Sequence, residues 1–272
     1  MNHWQSGYTD ANGIRIHYHR TGGDKPPLVL LHGITDNGLC WGRLARVLEA
    51  DYDVVMVDAR GHGLSDKPES GYTSDDYAAD IAGLIESLDL GPAIVMGHSL
   101  GAVTAATVAA GHPHRVTGAV LEDPPWYDES DPQTMMSPEQ VAEWMAGWRA
   151  DLIAQQQLSE DEIIAAGREQ SPRWRADEFP AWAQAKLQVS PDVLSLNQMR
   201  TWRELTPRFQ RPVLLITGDR EQGAIVTPGL AAKILAANAR VEHVHIPNVG
   251  HNIHRQEFDA YVNAVRAFLA EI

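Results

Sequence analysis

Pro92-Ala93-Ile94-Val95-Met96-Gly97-His98-Ser99-Leu100-Gly101-Ala102-Val103-Thr104-Ala105-Ala106 is the stretch whose reading decides the fold. Residues 92–96 form a short, uninterrupted apolar run, the pattern of a strand buried on both faces. From Ala102 to Ala110 the residues are small, which suits a helix packed closely on a sheet. Between the two stands Gly-x-Ser-x-Gly, too short for a loop. The chain must turn sharply there, and side chains at 97 and 101 would collide with neighbouring backbone. Such a turn pushes the Ser99 hydroxyl out of the sheet. It also leaves the Leu100 N–H at the start of a helix, where negative charge is favoured. Ser99 is the candidate nucleophile and Leu100 a candidate oxyanion donor.

Upstream, two alternating segments, 6–10 and 14–19, flank Asn12-Gly13, a hairpin signal. Pro27 to Leu31 reads as a buried strand followed at once by His32-Gly33-Ile34-Thr35. In a sheet of this type the loop after that strand supplies a second oxyanion donor, here the Ile34 N–H. His32 reads as a brace for the loop. A helix is expected from Trp41 to Glu49, then a strand from Tyr52 to Val57. Asp58-Ala59-Arg60-Gly61-His62-Gly63-Leu64-Ser65 follows. It lacks the Gly-Lys-Ser/Thr ending of a phosphate-binding loop and reads as a structural turn near the site. Ser74 is expected to cap a helix with Tyr77, Ile81, Leu84, Ile85 and Leu88 on one apolar face.

Downstream, Val116 to Leu121 is another strand, leaving through Glu122-Asp123-Pro124-Pro125-Trp126. Strand signals then vanish until about Leu205, and the region holds six of the eight tryptophans. We expect an inserted helical cap over 126–205, with a core made of 1–125 and 206–272. Most of the cap aromatics should pack against one another. Trp126 is the one best placed to line a substrate pocket. Strand and helix alternate again from Pro212. The last strand, Val241 to Ile246, leads into Gly250-His251, and an amphipathic helix closes the chain.

Repeated strand–helix units predict a mainly parallel sheet covered on both faces. Reactive groups then collect at the carboxyl ends of the strands. Ile34, Ser99, Asp123, Glu221 and His251 each follow a predicted strand, so all five fall on one edge. His251 is the expected general base, since imidazole can take the serine proton and return it to a leaving group. No His/Cys/Asp grouping has zinc-ligand spacing. A formal net charge of −14 argues against nucleic acid or an anionic membrane as partner. The lone cysteine, Cys40, excludes an intrachain disulfide and fits a reducing compartment. With no leader-like start and no run of membrane-spanning length, a cytoplasmic protein is expected.

Taken together, His32-Gly33, Asp58-x-Arg60-Gly61-His62-Gly63-x-Ser65, Gly97-x-Ser99-x-Gly101, Gly218-Asp219-Arg220-Glu221 and Gly250-His251 resemble the α/β-hydrolase superfamily over nearly the whole chain. The resemblance implies acyl transfer through Ser99 with no metal or other cofactor, on a small carboxylic ester or lactone. A carbon–carbon hydrolase or a cofactor-free perhydrolase would use the same residues. A small-molecule receptor with a silent triad is the non-enzymatic alternative. For the third triad member the resemblance offers two positions. Glu221, after the penultimate strand, holds the superfamily default and is the expected acid. Asp123, after the strand that follows the elbow, is where some relatives carry it. Strand alternation points Glu122 away from Asp123, and Asp219 is expected to fix its own turn.

Overall fold

The computed structural model describes residues 4–128, 137–195 and 199–272. Among these, the strands are β1 (Gln5–Ala11), β2 (Ile14–Arg20), β3 (Pro27–Leu31), β4 (Asp53–Val57), β5 (Ala93–His98), β6 (Val116–Glu122), β7 (Val213–Thr217) and β8 (Val241–His245). They form one sheet in the order β1-β2-β4-β3-β5-β6-β7-β8. The pairs β1–β2 and β2–β4 are antiparallel, and all other neighbours are parallel. The helices are α1 (Gly42–Leu48), α2 (Ser74–Ser87), α3 (Leu100–Gly111), α4 (Pro138–Gln155), α5 (Glu160–Gln170), α6 (Phe179–Gln188), α7 (Trp202–Leu205), α8 (Pro228–Ala237), α9 (Ile253–Gln256) and α10 (Phe258–Leu269). None among the described residues is long and apolar enough to cross a membrane.

The continuous apolar runs of the central strands follow from burial on both faces. Alternate residues serve opposite layers. Leu28, Leu30, Val54, Met56, Ile94 and Met96 meet Leu44 and Leu48 of α1 and Val265 and Phe268 of α10. Val29, Leu31, Val55, Val57 and Val95 meet Ile81 of α2, Val103 and Ala106 of α3, and Leu230 and Ile234 of α8. The lone cysteine, Cys40, is buried and free. Strand β3 lies between β4 and β5, so the chain steps to one side of β3 and then crosses to the other. The carboxyl ends of β3 and β5 flank the crevice where such sheets bind ligands.

The turn between β5 and α3 is tighter than periodicity alone indicates, because β5 runs on through His98 and α3 begins at Leu100. Ser99 is the single residue between them, with φ 53° and ψ −117°. A Cβ at Gly97 would overlap the Gly101 carbonyl oxygen, and one at Gly101 would overlap that of Leu31. Every residue of α3 from Leu100 to Ala110 is buried, which explains its small side chains. Two details differ from expectation. The cap of α2 is Thr73, whose hydroxyl accepts from the Asp76 N–H in a reciprocal capping box. Ser74 lies inside the helix, and its hydroxyl accepts from the Arg200 N–H at 3.0 Å.

Between β6 and β7 the described chain contains helices but no strand. Ile163, Phe179, Trp182 and Ala183 form a small core there, and the Trp174 and Phe179 rings stack 5.8 Å apart.

The elbow sterics give a stability contrast. Gly101→Ala should destabilise the protein by at least roughly 1–3 kcal/mol, the usual cost of overpacking. Gly111→Ala meets nothing within 4 Å at its Cβ and should be neutral or stabilising by about 0.5 kcal/mol. Urea unfolding of the two variants checks this, and equal effects would contradict the steric account.

Candidate active site

The Ser99 hydroxyl makes no capping bond to α3, although Ser99 occupies the N-cap position. Its backbone N–H donates to the Glu122 carbonyl at 3.0 Å, which ties the elbow to the end of β6. The loop after β3 approaches from the other side: a Cβ at Gly33 would lie 2.7 Å from His98 Nδ1 and 3.6 Å from Ser99 Cβ. Among the described residues the Ile34 and Leu100 N–H groups donate no hydrogen bond. Ile34 and Leu100 side chains join an apolar cluster with Tyr72, Leu152, Val193 and Leu194.

His251 meets Asp123, not Glu221. Its Nδ1 donates to Asp123 Oδ2 at 2.7 Å, which leaves Nε2 free as an acceptor. Asp123 is fully buried, and its carboxylate also accepts the backbone N–H groups of Ile225 and Val226 at 2.8–3.1 Å. The expectation that Glu221 fills this place is therefore corrected. Glu221 lies exposed on the turn Arg220–Gln222, and no side-chain hydrogen bond holds it among the described residues. The reason is the course of the loop after β7. Gly223, at φ +97°, turns the chain so that it offers N–H groups to a carboxylate instead of supplying one. Asp219 fixes that loop, accepting from the Asn248 N–H at 2.6 Å and bonding His245 Nε2 at 2.9 Å.

Trp126 is also placed differently from expectation. It is 2% exposed, packs in the main core cluster and donates its indole N–H to the Arg200 carbonyl at 3.2 Å. The adjoining Tyr127 is exposed.

Several buried polar residues around the site have little signal in the sequence. Glu122 accepts both the N–H and Nδ1–H of His254, at 3.0 and 2.8 Å. Burial pushes the Glu122 carboxyl up, but His254 and His98 outweigh it and hold the group at about 2. The His98 ring lies tilted against His251, with ring centres 4.5 Å apart and planes inclined by 48°, and donates from Nε2 to the His251 carbonyl at 2.9 Å. Burial lowers its pKa to about 3 despite Glu122 nearby, so the ring is neutral. His32 braces the loop after β3 by donating from Nδ1 to the Gly33 carbonyl and accepting the Ala59 N–H at Nε2. His62 donates from Nδ1 to the Arg60 carbonyl and accepts the Thr35 N–H at 3.4 Å; burial lowers it to about 3. Among the described residues no group of three or more His, Cys, Asp or Glu is placed to hold a metal ion.

Comparison with known proteins agrees with the fold. A family model described as alpha/beta hydrolase fold matches residues 26–258. The chain is 32% identical to a 2-(acetamidomethylene)succinate hydrolase of Mesorhizobium japonicum, over 98% of this chain and 96% of the relative. It is 30% identical to an N-formylmaleamate deformylase of Pseudomonas putida, over 97% and 96%. A solved structure of an E-2-(acetamidomethylene)succinate hydrolase superposes with a TM-score of 0.84 at 28% identity, covering 98% of this chain and all of that one, 100%.

The buried neutral histidines predict acid sensitivity. With folded values near 3 against an ordinary 6.5, His62 and His98 take up protons only on unfolding between these limits. Their contribution to stability is present above pH 6.5 and is lost as pH falls toward 3. Each contributes a slope of roughly 1.4 kcal/mol per pH unit within that window. Urea unfolding at pH 7, 6 and 5 should show the decline, and a flat profile would refute it.

Proposed function

The chain belongs to the alpha/beta hydrolase family and is a hydrolase, and from that premise we propose that it works by acyl transfer through Ser99. The observation that carries this reading is the 2.7 Å bond between Asp123 and His251, together with a serine held at φ 53° at the end of β5. A buried carboxylate on Nδ1 fixes the tautomer that can accept a proton at Nε2 and stabilises the imidazolium that forms. In this reading His251 takes the Ser99 proton as Oγ attacks the substrate carbonyl. The tetrahedral oxyanion is received by the free N–H groups of Ile34 and Leu100, donors that need no reorganisation. His251 then gives its proton to the leaving group. Water, activated by the same imidazole, releases the acid and restores Ser99.

The scissile bond lies between an acyl carbon and a heteroatom. An ester or lactone satisfies that chemistry, but two relatives that are 32% and 30% identical across this chain are named for substrates with an acetamido or N-formyl group. We therefore favour an acyl–nitrogen bond in a small substrate. Such a leaving group depends more heavily on proton return from His251 than an alkoxide does. Fluorophosphonate labelling of Ser99, followed by turnover of N-formyl imides, enamides, nitrophenyl esters and lactones side by side, tests both levels. Labelling elsewhere or not at all refutes the nucleophile, and esters outrunning every N-acyl compound refutes the bond.

Substitutions should separate the acids. Ser99→Ala should lower kcat by about 10⁶-fold, and Asp123→Asn by about 10⁴-fold. Glu221→Gln should leave turnover at the parental level, since its carboxylate touches nothing in the site. A large loss in Glu221→Gln with Asp123→Asn active would overturn the assignment of the acid.

A further inference from the structure

The geometry points to Lys186, on α6 of the helical insertion, as a positioning residue that clamps the oxyanion loop. This inference rests on the acyl-transfer reading for its catalytic consequence, though not for its structural one. Thr35, next to Ile34, has φ +66°. For a β-branched residue that is a disfavoured conformation, which persists only where its surroundings impose it. The Lys186 ammonium donates to the Thr35 carbonyl at 2.8 Å and to its hydroxyl at 2.6 Å. Both groups are buried, and the 151 positions between them are bridged by the fold.

Docking the insertion onto the core by charge is the simpler account, and the distances argue against it. Asp36, the nearby carboxylate, already has Arg255 at 3.1 Å, while Lys186 stands 3.6 Å away. The short bonds of the ammonium go to Thr35. Asp36 and the Trp182 ring, whose centre lies 4.9 Å from Nζ, stand farther off. A second contact works in the same direction: Asn37 Nδ2 donates to Gln188 Oε1, also on α6, at 3.1 Å. On the far side His62 receives the Thr35 N–H. Helix α6 thus grips residues 35–37, and the peptide that carries the Ile34 N–H is held between that grip and Gly33. If Thr35 relaxed to negative φ, the Ile34–Thr35 peptide would turn, its N–H would leave His62, and the Ile34 N–H one peptide back would be displaced.

The test uses the full chain, with 4-nitrophenyl acetate as substrate and a phenylboronic acid as the tetrahedral adduct on Ser99. Lys186→Met removes both bonds to Thr35. Amide exchange across residues 33–37 should accelerate, kcat should fall by about 10–100-fold, as a misplaced catalytic group predicts, and KM should stay close to the parental value. Boronate affinity should weaken by the same factor as kcat/KM. Lys186→Arg keeps a cation beside Asp36, so it preserves the fold if Lys186→Met does not. Its planar donors cannot place one nitrogen on both Thr35 acceptors, and kcat should fall again. Unchanged exchange at 33–37 overturns the clamp. Accelerated exchange with parental kcat and boronate affinity overturns its catalytic role. A parent chain that fluorophosphonate does not label at Ser99 refutes the acyl-transfer reading, while exchange still judges the clamp.

Discussion

The space where a side chain at position 97 or 101 would stand is filled by backbone carbonyl oxygens, and the arrangement of the site depends on that close contact. It allows one residue, Ser99, to join a central strand to a central helix. Strain at such a turn persists because the elements on either side cannot move apart: β5 is hydrogen-bonded on both edges, and α3 is buried along its length. The same packing explains why α3 is made of alanine, valine and threonine. A bulkier helix would lift away from β3, β5 and β6 and open the turn.

Around this turn the polar groups are arranged in pairs. Glu122 ends β6, Asp123 follows it at φ 40°, and each meets a histidine from the segment after β8. Asp123 holds the ring of His251, while Glu122 holds both the ring and the backbone of His254, fixing the chain just beyond. His98 adds a third tie through the His251 carbonyl. Buried carboxylates are tolerated only with such complete sets of donors. Asp123 obtains two of its donors from backbone N–H groups at Ile225 and Val226, which makes the loop after β7 a part of the site without lending it a side chain.

The helices between β6 and β7 are attached to the sheet edge that carries Ser99 and His251 by contacts of a different kind from their own apolar core. Glu178 near the start of α6 faces Arg43 and Arg255, and Lys186 and Gln188 near its end face Thr35, Asp36 and Asn37. The C-terminal end of α6 thus reaches residues 35–37, while α4 meets Ile34 and Leu100 through Leu152.

What was legible in the sequence is what local pattern controls. The apolar runs specify strands buried on both faces, the 3.6-residue faces of α2 and α10 specify the covering helices, and Gly97-x-Ser99-x-Gly101 between such runs admits only a sharp turn. Placing His251 and Ser99 on one sheet edge needs no more than that alternation. The tertiary structure alone decided which carboxylate meets His251, because Asp123 and Glu221 both follow strands and lie on the same edge. The choice turned on how Gly223 directs a loop whose N–H groups reach Asp123, and the Asp123–His251 contact spans 128 positions. It likewise decided that the Trp126 ring enters the core and that a lysine from the insertion reaches Thr35. Side-chain direction at the end of an element depends on what packs there from distant chain, and periodicity carries no information about that.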